Sequence, residues 1–121
     1  MTTTAWAHLP NAAHIDRVLA SMKKNPEKWD AAWDAAGYEA RAAAWDAAWD
    51  AAEGAARGKA WDAARKAAWG AARDAILALV AWDDCAYMLE LPDDVLKVLR
   101  AVGNEQAILL SVAANILKET L

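Results

Sequence analysis

From Trp29 to Ile76 the chain repeats one sixteen-residue unit three times, WDAAWDAAGYEARAAA, WDAAWDAAEGAARGKA and WDAARKAAWGAARDAI, and each unit is built on tetrads of the form WDAA. Alanine fills the fourth tetrad position without exception from Ala32 through Ala72. The first position holds Trp29, Trp33, Trp45, Trp49, Trp61 and Trp69 or, at most of the others, an arginine. A strand alternates with period two, whereas alanine-rich sequence with neighbours at i and i+4 favours helix. Four residues turn an α-helix by about 400°, so a period-four stripe drifts by about 40° per tetrad and circles the axis. No single partner can follow it. A period of about 4.0 is also too far from about 3.6 to be absorbed by the gentle supercoils of seven- or eleven-residue repeats, which argues against a long coiled coil.

Sixteen residues make nearly four and a half turns, so on a straight helix Trp29 and Trp33 point about 160° away from Trp45 and Trp49. Either the helix breaks near Gly37, or it is a central helix packed on two sides. The favoured expectation is the second, with the break at Glu53-Gly54-Ala55-Ala56-Arg57-Gly58, where two glycines weaken the helix and offer a left-handed terminus. The flanks add a first helix over about Asn11 to Lys23, an Asn25-Pro26-Glu27 start to the second, and a third over about Lys59 to Ala86. A fourth opens at Pro92-Asp93-Asp94 and ends at Val102-Gly103, and Asn104 caps an apolar fifth. The expected fold is all-α, a compact bundle of four to six helices in one domain spanning 1–121. The tetrad helices lie at about 26–82 and the apolar C-terminal helices at about 92–120. Alanine faces let helix backbones come close while indoles fill the remaining space. With eight Trp and no Phe, most tryptophans are expected in the core. The fifth helix is apolar nearly all round, so it is buried in the bundle or in a homo-oligomer interface.

A formal charge of −4 and a pI near 5.1 argue against binding to duplex nucleic acid, which calls for a basic patch. The single Cys85 excludes an internal disulfide and fits a reducing cytoplasm. Met1-Thr2-Thr3-Thr4 lacks the features of a secretory signal, and no apolar run reaches the length of a membrane span, so a cytoplasmic protein is expected. His8 and His14 have no carboxylate or cysteine partner at ligand spacing, so no metal and no cofactor are expected. Carboxylates beside Cys85 raise a thiol's pKa, which disfavours a reactive thiolate. Asp83 and Asp84 sit unfavourably at a helix C-terminus and call for an arginine partner or a capping role.

The repeat's own charges are more informative. Asp30 with Asp34, and Asp46 with Asp50, are like-charge pairs at i,i+4, each costing a helix about 0.2–0.5 kcal/mol unless answered from elsewhere. Arg41, Arg57 and Arg73 recur at one position of the three units, so they either pair with Asp46, Asp50 and Asp62 or join tryptophans in a pocket. A guanidinium binds phosphate bidentately and an indole stacks on a base, which makes Arg41, Arg57, Arg73, Trp45, Trp49 and Trp61 the candidate ligand-binding residues. A chain reversal at Gly54–Gly58 would be needed to bring two of these arginines together. No catalytic constellation is visible, so no enzyme is expected.

The tetrads, followed by AILALVAWDDCAYML and VGNEQAILL, resemble small proteins of bacteriophages and bacterial mobile elements, and loosely the Ala-rich putative immunity proteins, over Trp29 to Leu110. The resemblance implies a phage-borne accessory protein of anti-defence or immunity type, acting by binding in the host cytoplasm. Its partner would be a nucleotide-like molecule that it sequesters or a host protein that it blocks. The alternative is a structural homo-oligomer that binds no small ligand.

Overall fold

The computed structural model describes residues 5–35 and 38–120. The described chain is all-helical and without strands: α1 Ala12–Lys24, α2 Pro26–Ala35, α3 Tyr38–Ala51, α4 Ala55–Ala67, α5 Gly70–Ala81, a short 3₁₀ helix Ala86–Glu90, α6 Asp93–Ala101 and α7 Glu105–Glu119. Seven α-helices thus replace the expected four to six. The extra breaks lie inside the repeat. The helix expected over Lys59–Ala86 is interrupted at Ala68 and Trp69, both extended, and stops at Ala81.

Two helices form the centre. In α5 every residue but Gly70 and Arg73 is buried, because α1, α2, α3, α4 and α7 surround it. Helix α7 packs on α5, α3, α6 and the 3₁₀ helix, which bury Leu109, Leu110, Ile116 and Leu117. Its apolar surface is therefore covered within one chain. Outward apolar residues include Val95 and Val98 of α6 and Val102 just past its end, while Leu96 faces in; Trp49, Trp69 and Tyr87 are exposed elsewhere.

The tetrad alanines are the packing face. Ala44, Ala48 and Ala52 of the α3 segment, Ala60, Ala64 and Ala68 of the α4 segment, and Ala72 of α5 are all 4% exposed or less. Three successive tetrads drift by about 80° in total, within the breadth of an apolar stripe of roughly 100°. A fourth would leave it. Exposed Ala56 begins the turn after Gly54, and exposed Ala40 begins α3, where the stripe has not yet reached the core. The continuous central helix favoured for this stretch is not found: α2 ends at Ala35 and α3 begins at Tyr38, which agrees with the alternative of a break near Gly37, itself outside the described residues. Of the expected break at Gly54–Gly58, only Gly54 lies in the link, with φ +138°; Gly58 is inside α4.

The second reversal depends on Gly70. Its φ is +56°, and a Cβ there would sit 3.2 Å from Trp33 Cβ and Cγ. The residue thus makes the turn from extended Trp69 into α5 and lets the Trp33 indole lie on the backbone. Asn25, expected as a side-chain N-cap of α2, instead donates from Nδ2 to the Ser21 carbonyl at 3.2 Å. Its own backbone carbonyl receives Lys28 and Trp29 N–H. Asn104 does cap α7, accepting from Ala107 N at 2.9 Å.

The two glycines give opposite expectations. Gly70→Ala should destabilise by about 1–3 kcal/mol, from left-handed strain plus the Trp33 contact. Gly58→Ala, with open space around its Cα inside a helix, should stabilise by about 0.4–1 kcal/mol. Urea unfolding of both variants checks this, and a neutral or stabilising Gly70→Ala would refute the role given to that turn.

Candidate functional site

Where α2, α3, α4 and α5 meet, side chains of the repeat line an open cleft of about 300 Å³ walled by Trp33, Arg41, Trp45, Arg65, Arg73 and Asp74, together with Ala42, Asp46 and Gly70. Its size lies at the lower end of small-molecule sites, about 300–1,000 Å³. The Arg41 guanidinium lies 3.7 Å from the Trp33 ring centroid and donates to Asp74 Oδ2 at 3.2 Å. Stacked and paired in this way, it is held rigidly. Arg65 reaches over Trp45 at 5.7 Å from the ring. Arg73 donates Nε to the Ala68 carbonyl at 2.9 Å, capping the end of α4, and neither Arg65 nor Arg73 takes part in an ion pair among the described residues.

Of the six residues expected to bind ligand, Arg41, Arg73 and Trp45 converge here and three do not. Arg57 sits at the far end of α5, donating to the Val80 carbonyl at 2.6 Å and to Asp83. It is a helix cap, and the arginines that do share a wall come from the first and third units. Trp61 is fully buried, with Trp45 and Trp49 packed on it in T-shaped geometry at centroid distances of 5.1 and 5.4 Å. Its indole N–H lacks a hydrogen-bond partner, and the surrounding rings offer only weak π contacts. Trp49 covers Trp61 from the solvent side and lines no wall of the cavity.

Sequence reasoning missed Trp33, Arg65 and Asp74. Arg65 had a signal, since it stands where the tetrad places tryptophan; Asp74 had another, as an acid inside the apolar run Ala71–Ala81. None of the expected Arg pairs with Asp46, Asp50 or Asp62 forms among the described residues. Those carboxylates face solvent, and Asp30 accepts from Trp69 Nε1 at 2.8 Å.

The Trp82–Cys85 segment proves structural. Asn11 Nδ2 donates to the Leu79 and Trp82 carbonyls at 3.0 and 2.8 Å, and Cys85 Sγ donates to the Ala78 carbonyl at 3.4 Å. With Arg57 on Val80, side chains thus pair the Leu79 and Val80 carbonyls that the end of α5 leaves without helical partners, and the Cys85 bond adds to the Trp82 N–H on the Ala78 carbonyl. Burial, reinforced by the Asp84 and Asp83 charges, pushes the Cys85 thiol up to about 12, so it is inert at neutral pH. Among the described residues no group of three or more His, Cys, Asp or Glu could hold a metal, and no helix is long and apolar enough to cross a membrane. The chain matches no known family, no curated protein and no solved structure.

Asp74 is the chemically unusual member of the site. Burial raises its carboxyl to about 6, against the opposing pull of Arg41 and the more distant Arg73. In the unfolded chain the same group titrates near 3.9, so between about pH 4 and pH 6 the folded state holds the extra proton. Its contribution to stability is therefore fully present below about pH 4 and is lost as pH rises through about 6, an effect on the order of 3 kcal/mol. Asp74→Asn lacks this titration. Its stability relative to the parent should rise by about 2–3 kcal/mol between pH 4 and pH 7. Urea unfolding at several pH values measures the difference, and parallel curves for the two proteins would refute it.

Proposed function

We propose that the protein is a non-enzymatic binding module that captures a planar, negatively charged small molecule of nucleotide type in the cleft between its repeat helices. The observation that carries this reading is the convergence of Arg41, Arg65 and Arg73 on Trp33 and Trp45 in one concave site of an otherwise acidic chain. With Trp33 covered by Arg41, the Trp45 indole is the one left to stack on a flat ring, and guanidinium groups supply charge-assisted hydrogen bonds to the anionic end. A buried carboxylate holding one of the arginines in place suits a preorganised site. An accessory role for a phage or mobile element, sequestering such a molecule in the host cytoplasm, belongs to the same proposal and rests on the resemblance of the repeat.

Binding of this kind stabilises the folded state in proportion to ligand concentration and quenches tryptophan fluorescence. A thermal-shift and fluorescence screen of nucleotides should give hits that Arg65→Ala weakens by about 1.5–3 kcal/mol, the worth of a hydrogen bond to a charged group. Because Arg65 is exposed, the unliganded melting temperature should not move. Loss of stability without loss of binding would end the ligand reading.

The outward Val95 and Val98 of α6, with Val102 at its C-terminal end, support a second reading, assembly into a homo-oligomer. Residues spaced i, i+3 and i+7 make a continuous helical stripe suited to self-association. Under that reading light scattering gives a dimer or larger at micromolar concentration, and Val98→Asp returns it to monomer with the fold intact. A monomeric parent protein removes the assembly reading.

A further inference from the structure

Arg65 and Arg73 face two spaces at once. On one side is the aromatic cavity; on the other is an adjoining polar cup of about 530 Å³ whose remaining walls are Asp62 and Lys66. The cup thus carries three cations against one carboxylate, and none of its charged groups is in an ion pair among the described residues. It contains no aromatic side chain. The two spaces share the donors of Arg65 and Arg73 and differ in the rest of their walls, aromatic in one and wholly charged in the other. The link through Ala68 and Trp69 creates it, since the extended pair returns Arg73 of α5 to face Arg65 and Lys66 at the end of α4. Arg73 is fixed there by its Nε bond to the Ala68 carbonyl, which leaves its two terminal nitrogens to point elsewhere.

We infer that the cup formed by Arg65, Lys66 and Arg73 seats the phosphoryl end of the ligand while Trp45 holds its ring beside the Arg41-covered Trp33, which makes the ligand a phosphate ester of a planar or nucleoside-like alcohol. The inference rests on the binding function proposed above and adds where the charge sits. A ligand whose anion is a single carboxylate would find all it needs in the aromatic cavity, which Arg65 and Arg73 also line. Only a polyanionic group makes use of Lys66 as well. Asp62 sets the limit of that preference, since it opposes the anion from the cup wall.

Lys66 and Asp62 belong to the cup alone, whereas Trp33 and Arg41 line the aromatic cavity and not the cup. Calorimetric titration of the full chain with adenosine and with adenosine 5′-diphosphate therefore separates the two spaces. The diphosphate should bind at least about tenfold more tightly than adenosine, and less tightly as salt rises. Lys66→Ala should weaken the diphosphate about fivefold and leave adenosine unchanged; Lys66→Arg should restore it, and Asp62→Asn should strengthen it severalfold. Both residues are exposed, so the melting temperatures should stay at the parent value, which keeps the comparison free of folding effects. Diphosphate binding that Lys66→Ala and Asp62→Asn leave untouched would overturn the cup while leaving the aromatic-cavity reading in place. Failure of the parent protein to bind any planar anion would overturn both.

Discussion

A four-residue repeat wound on a helix of about 3.6 residues per turn loses its register with the core after about three tetrads, and the rest of this structure follows from that mismatch. Alanine at the fourth position works as a packing face only while the stripe stays inward, so the chain must stop and restart. It does so at Gly54 and at Ala68–Gly70, and each restart resets the phase. The period that would drive a long helix out of contact with any partner therefore yields short helices of 10 to 14 residues in the repeat. Small side chains on their inner faces then allow close approach to α5 and α7. The repeat is a way of covering two apolar helices with several copies of one element.

How much of this could be read beforehand depends on the same phase problem. The helical class and the role of the fourth-position alanines were legible, because a tetrad of strong helix formers has one secondary structure open to it and a methyl stripe has one use. Gly54 as a break was legible too. The break at Gly70 was not, since a single glycine after tryptophan gives no sign that an indole from another helix, Trp33, will rest on its backbone at 3.2 Å. Within the site one cause separates the residues that share the cavity from those that do not. Arg41, Arg57 and Arg73 are equivalent in sequence but lie on three different helices, and the phase of each helix at its break decides whether its arginine meets the cavity or the end of α5. Trp49 and Trp61 fall outside the cavity for the same reason, since the heads of successive tetrads rotate away from one another about the axis.

The end of α5 shows how an apparently frustrated sequence becomes consistent once the fold is known. Acids after a helix C-terminus oppose its dipole, which is why Asp83 and Asp84 looked out of place. Arg57 resolves the conflict by bonding a terminal carbonyl and Asp83 together, and Asn11 and Cys85 take the carbonyls beside it. Such closure matters most for the helix with the greatest burial, because water cannot reach its orphan groups. The terminal region that precedes α1 is thereby tied to the middle of the chain through Asn11, a contact 68 residues apart in sequence.

The charge distribution of the repeat separates scaffold from site. Asp30, Asp34, Asp46, Asp50, Asp62 and Asp74 occupy the same tetrad position, yet only Asp74 is buried, because only α5 is enclosed on all sides. A buried carboxylate held at about 6 lowers stability at neutral pH relative to a neutral side chain, so packing alone gives no reason to keep it there. What Asp74 does accomplish is to fix Arg41 against Trp33, while Arg65 and Arg73 take part in no ion pair among the described residues. An arginine serving only the fold would be as well placed over solvent, as Arg17 is beside Glu90. The arrangement in the cleft, with one cation immobilised at a stability cost and two more turned toward the same space, is what a site preorganised for an anion requires.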